Sequence, residues 1–82
     1  MSANSTTAEF SVYAFYDDAD TEYHAECEFV SAETAVRTAV SLVKSVAGRT
    51  GFIKRVIVTD GSDSINWEWR HGFGVVFPKD ES

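Results

Sequence analysis

Glu22-Tyr23-His24-Ala25-Glu26-Cys27-Glu28-Phe29 alternates polar and apolar residues without a break over residues 22–29. Side chains of an extended strand point by turns to opposite faces, so strict alternation predicts a half-buried antiparallel strand. On that reading Glu22, His24, Glu26 and Glu28 share one face, and Tyr23, Ala25, Cys27 and Phe29 share the other. The strand extends to Val30, and the segments on either side of it determine what it pairs with.

Upstream, Glu9 to Tyr16 reads as a first strand with Phe10, Val12, Ala14 and Tyr16 on one face and Ser11, Tyr13 and Phe15 on the other. Both faces are largely apolar, which suits an interior strand. Asp17, Asp18, Ala19, Asp20 and Thr21 form the turn, because an Asp carboxylate bonds nearby backbone amides. Downstream, Ser31 is an N-cap with Glu33 in the first turn, where negative charge complements the helix dipole. Ala32, Ala35, Val36, Ala39, Val40, Val43, Val46 and Ala47 then recur at helical spacing, opposite Glu33, Arg37, Ser41 and Lys44. The pattern predicts one amphipathic helix of ~16 residues, ending near Gly48.

Three further strands follow. Phe52 to Thr59 is apolar on both faces (Phe52, Val56 and Val58 against Ile53 and Ile57) and therefore interior. Asp60-Gly61-Ser62-Asp63 is a hairpin turn. Ser64 to Arg70 sets Ile65, Trp67 and Trp69 against Asn66, Glu68 and Arg70, and Phe73 to Phe77 is stopped by Pro78. The element order is ββαβββ, an α+β fold in which one amphipathic helix packs on one face of an antiparallel sheet. Spatial order 2-1-3-4-5 makes every neighbour antiparallel and puts both doubly apolar strands inside; order 1-2-3-4-5 leaves the first strand at an edge. The first is preferred. A flexible tail over 1–8, one domain over 9–78 and a C-terminal tail over 79–82 complete the division.

The composition is that of a folded chain, 44% hydrophobic with one Pro and one Cys. A single cysteine excludes an internal disulfide framework and fits a reducing cytoplasm. The polar start lacks the apolar stretch of a secretory signal, and no apolar run reaches the ~20 residues that span a bilayer. Net charge is −6, distributed as eight acidic and no basic residues through Ala35, then seven basic and five acidic. That balance opposes a role on nucleic acid, where Lys and Arg must neutralise phosphates.

No motif for catalysis stands out. Gly72-Phe73-Gly74 lacks the rest of a dinucleotide signature, and Asp18, Asp20 and Glu22 lack the glycine and the closing Glu of a calcium loop. His24 with Glu26 or Glu28 has spacing for a shared metal, but acidic residues on an edge strand are also a guard against edge pairing, so no metal or cofactor is assigned. Cys27 and His24 fall on opposite faces of a regular strand and form no dyad there; Cys27 reads as a small core residue.

The functional expectation rests on size. Five strands at ~4.8 Å make a sheet 20 to 25 Å wide, and a helix is ~10 Å across. One helix therefore leaves aromatic side chains uncovered, and large apolar patches mark interaction sites. The expectation is a non-enzymatic homodimer that buries an apolar sheet face carrying Tyr13, Phe15, Val56 and Val58, with Trp67 and Trp69 as further candidates. The alternative is a binding module for a small molecule, peptide or single-stranded nucleic acid around Trp67, Trp69, Arg70 and His71.

Overall fold

In a computed structural model that describes residues 8–19, 21–62 and 64–78, five strands form one antiparallel sheet: Phe10–Phe15 (β1), Tyr23–Val30 (β2), Arg55–Thr59 (β3), Ile65–Arg70 (β4) and Gly74–Phe77 (β5). Their spatial order is β2-β1-β3-β4-β5 with every neighbour antiparallel, as the two-faced apolar character of β1 and β3 requires. Between β2 and β3 the chain crosses one face of the sheet as α1 (Ala32–Lys44) and α2 (Val46–Thr50). The tails expected over most of 1–8 and over 79–82 lie outside the described residues, as do Asp20 and Asp63 of the two turns.

Local chemistry accounts for the turns and the helix start. The Asp17 carboxylate accepts from the backbone N–H of Thr21 (3.0 Å) and Glu22 (3.1 Å) and from the Thr21 hydroxyl, closing the β1–β2 turn. Asp60 does the same for β3–β4 through the N–H groups of Ser62 and Ser64. Ser31 caps α1 by accepting from Thr34 N–H at 3.2 Å, and Glu33 in the first turn pairs with Arg37 one turn on.

The helix differs from the expected single cylinder. It stops at Lys44, because the Ser45 hydroxyl donates to the Leu42 carbonyl at 2.6 Å while the Ser45 backbone turns extended. That same oxygen accepts from Gly48 N–H at 3.1 Å, so one side chain closes α1 and opens α2. The left-handed terminator is Gly51 (φ 88°), not Gly48. Gly48 is needed for its small size instead, since a Cβ there would lie 2.3 Å from the Leu42 carbonyl oxygen and 2.4 Å from that of Val43. The corner lets Ile53 follow into the core, where it is 2% exposed.

The β2 alternation is also interrupted. Val12 pairs with Cys27 but Tyr13 with Ala25, so Glu26 is an inserted residue; a second irregularity lies between the Val12 and Phe10 pairs, where Phe29 takes φ +57°. Each bulge flips the faces. Tyr23 and Ala25 therefore point away from the helix while Cys27 packs against the core beneath it, and His24 and Cys27, expected on opposite faces, share the helix side. Asn66 makes a similar insertion in β4, which moves Ile65 to the face opposite Trp67 and Trp69.

The core lies between α1 and the sheet. Val12, Ala14, Ala35, Ala39, Ile53, Val56, Val58 and Trp69 form its buried cluster, with Trp67, Leu42 and Val43 packed around it. Ala35 and Ala39 are the fully buried residues of α1, and these small side chains let the helix lie close. It rests on β1, β2 and β3. On the helix itself Val36 and Val40 keep 54% and 38% of their surface, and Val75, on β5 beyond its reach, keeps 51%. Among the described residues, no helix is long and apolar enough to cross a membrane.

Gly48→Ala should lower the unfolding free energy by about 2–3 kcal/mol, since the new methyl must displace two backbone carbonyls. Urea denaturation measures it. A change under about 0.5 kcal/mol, the usual range of a neutral surface substitution, would mean the α1–α2 corner yields freely.

Candidate functional site

Among the described residues, the sheet face turned away from the helices has no second layer, and cross-strand pairing sorts its side chains into rows. One row reads Tyr23, Phe15, Arg55, Arg70, Gly74 from β2 to β5. The next reads Ala25, Tyr13, Ile57, Glu68, Phe77. Ser11, Thr59 and Ile65 follow at the far end of β1, β3 and β4. The face is thus aromatic on the β2–β1 side, charged over β3–β4 and apolar again at its β5 rim.

Its rings touch. Tyr23 lies 5.4 Å from Phe15 and 5.9 Å, edge-on, from Tyr13. The Arg55 guanidinium sits 5.0 Å above the Phe15 ring, a cation over the electron-rich face. Phe15, under this cover, is 8% exposed and Ile57 is 7% exposed, while Tyr23, Phe77 and Ile65 retain 58%, 46% and 36%.

At the centre Glu68 holds two arginines. Its Oε2 accepts from Nε of Arg55 and from Nε of Arg70, each at 2.8 Å. Glu68 and Arg55 are 13% exposed and Arg70 is 42% exposed. Burial pushes the Glu68 carboxyl toward its neutral form, but the hydrogen bond and charge of Arg55, joined by those of Arg70, outweigh it and hold the pKa below the usual glutamate value. The cluster carries one net positive charge.

The residues singled out in the sequence separate onto different surfaces. Tyr13, Phe15 and Arg70 meet on the open face. Val56 and Val58 do not belong there: at 0% and 4% exposure they lie in the core under α1, as does Trp69, with Trp67 packed beside them. His71 stands exposed in the β4–β5 turn, its ring 6.2 Å from Trp69. Trp67, Trp69, Arg70 and His71 therefore do not compose one surface, because successive strand residues alternate faces. Phe77, one of the aromatics that a single helix leaves uncovered, joins the face at its β5 rim, and Tyr23, Arg55, Ile57 and Glu68, which the sequence does not single out, complete it; counting partners across the strand order 2-1-3-4-5 is the signal that leads to them.

A shallow cleft of about 570 Å³ lies at the other end of the β1–β2 hairpin, lined by Tyr16, Thr21, Glu22, Tyr23, His24 and Phe52. Its polar groups do not converge: the Tyr16 hydroxyl donates to Glu26 at 3.3 Å, and His24 only meets the Tyr16 ring edge. Among the described residues no three His, Cys, Asp or Glu side chains come together as metal ligands.

Glu68→Gln should cost about 1–3 kcal/mol at pH 7, since it leaves two guanidinium groups facing a neutral amide. A depressed folded-state pKa gives stability that is present above the unfolded value and lost as pH falls through the folded one. The wild-type chain should accordingly lose stability below about pH 4.3, and the variant should lose less over that interval in pH-dependent denaturation. Parallel acid limbs would show that Glu68 is not held by the arginines.

No protein family matches this chain, and comparison with curated proteins and with solved structures returns no significant match.

Proposed function

We propose that the chain is a non-enzymatic self-association domain that works by packing the open face of its sheet against the same face of a second copy. The observation that carries this reading is the row structure itself: five strands turn Tyr23, Tyr13, Phe15, Ile57, Ile65 and Phe77 to a side that no described element covers, and of these Tyr23, Ile65 and Phe77 keep much of their surface exposed around the packed Phe15 and Ile57. Removing apolar area from water is the dominant favourable term in protein association. The charged centre suits burial because Glu68 already compensates one arginine, which limits the cost of desolvating it.

Dimensions set the strength. A face ~24 Å across and ~17 Å along the strands offers about 500–600 Å² of accessible surface per copy once side-chain relief is included. The pair would bury roughly 1,000–1,200 Å², the low end of specific interfaces, where a dissociation constant on the order of micromolar is expected. This is a reversible dimer. Isologous twofold contacts need only one surface to be self-complementary.

Light scattering at tens of micromolar chain, above such a dissociation constant, should give about twice the 9.1 kDa chain mass. Tyr23→Asp, on the rim and outside the core, should return the monomer with its thermal unfolding little changed. A wild-type monomer at millimolar concentration overturns the proposal, and so does a dimer indifferent to Tyr23→Asp.

A further inference from the structure

Resting on the self-association proposed above, we infer that the twofold axis of the dimer runs across the strands, between the two rows, so that β2 lies over the partner's β2 and Arg70 over the partner's Glu68. Sheets packed face to face keep their strands within about 30° of each other. A twofold contact that obeys this has two choices: the axis lies along the central strand β3, or it crosses all five strands.

An axis along β3 maps each row onto itself in reverse. It stacks Arg55 on the partner's Arg55, and it places Arg70 over the partner's Phe15 and Glu68 over the partner's Tyr13. An axis across the strands exchanges the rows. Tyr23 then covers the partner's Ala25, Phe15 meets the partner's Tyr13, Arg55 meets the partner's Ile57, and Gly74 receives the partner's Phe77. Either axis sets large side chains over small ones at the rims, but only exchange of rows lays rings on rings and leaves no like charges facing each other.

Unused hydrogen-bonding groups select the same arrangement. Glu68 takes both arginine Nε groups on Oε2, and its Oε1 has no partner among the described residues. Arg70 spends Nε on that bond, and its two terminal nitrogens are unpartnered among the described residues on a side chain 42% exposed. A leftover donor and a leftover acceptor thus stand in adjacent rows of one face. Exchange of rows joins them reciprocally in two charge-assisted bonds, one on each side of the axis.

Cross-linking reads the axis directly. In a Cys27→Ala background, Ala25→Cys introduces one exposed thiol on β2. Stacked sheets lie ~10 Å apart, so with β2 over the partner's β2 the two thiols fall within roughly 13 Å, and a short bis-maleimide should convert most of the chain to covalent dimer. With the axis along β3 they are separated by the width of the sheet, roughly 19 Å, in addition to the gap. Phe77→Cys at the opposite rim should cross-link to itself in the same way and serves as the second probe. Cross-linking only in a mixture of the Ala25→Cys and Phe77→Cys chains overturns the inference and leaves the self-association standing. A dimer that cross-links in neither experiment overturns the inference as well, and a wild-type monomer by light scattering removes the reading beneath it.

Discussion

The ladder between β1 and β3 is the constraint on which the rest of the fold depends. Ser11, Val12, Tyr13, Ala14 and Phe15 pair in unbroken register with Thr59, Val58, Ile57, Val56 and Arg55. Every other ladder in the sheet contains a register shift. Because side-chain direction reverses with each residue, this one regular pairing decides which half of the central side chains goes under the helix and which half stays on the open side; a slip of one residue would exchange Val12, Ala14, Val56 and Val58 for Tyr13, Phe15 and Ile57. Irregularity is confined to the ladders on either side of this central pair.

Much of this is legible in the residues. The two-faced apolar character of β1 and β3 is visible in the chain, and together with the requirement for antiparallel neighbours it leads to the observed order. Asp17 and Asp60 announce their turns by the same chemistry that closes them, and Ser31 and Glu33 announce the helix start. What escapes is whatever depends on a third dimension. Alternation over 22–29 is perfect in sequence, yet Glu26 is inserted opposite a partner strand whose twist the alternation does not encode. Gly48 has the composition of a terminator, but close approach to the Leu42 and Val43 carbonyls, not a left-handed backbone, is what requires glycine there. Ser45, an ordinary residue within a helical pattern, is where the helix breaks.

The same distinction governs the candidate face. Periodicity shows that Tyr13 and Phe15 share a side, and that Val56 and Val58 share a side. It does not say that those are different sides, because that follows from register between strands. The Arg55–Glu68–Arg70 cluster is formed by residues 13 and 2 positions apart, and it becomes apparent only when β3 and β4 are laid in their true pairing past the insertion at Asn66. Charge counting by halves of the chain points to polarity along the sequence; the structure instead gathers both signs onto one surface, where a single carboxylate organises two cations.

The two margins of the sheet are guarded differently. Along β2 a visiting ribbon would meet Glu26 and Glu28 and a spacing twice broken by bulges, whereas along β5 it would find four residues, one of them out of register, before Pro78 withdraws the next amide hydrogen. Lengthening by strand addition is thereby discouraged at either limit through unrelated means. A solution of this protein should accordingly resist fibre growth by edge-to-edge pairing.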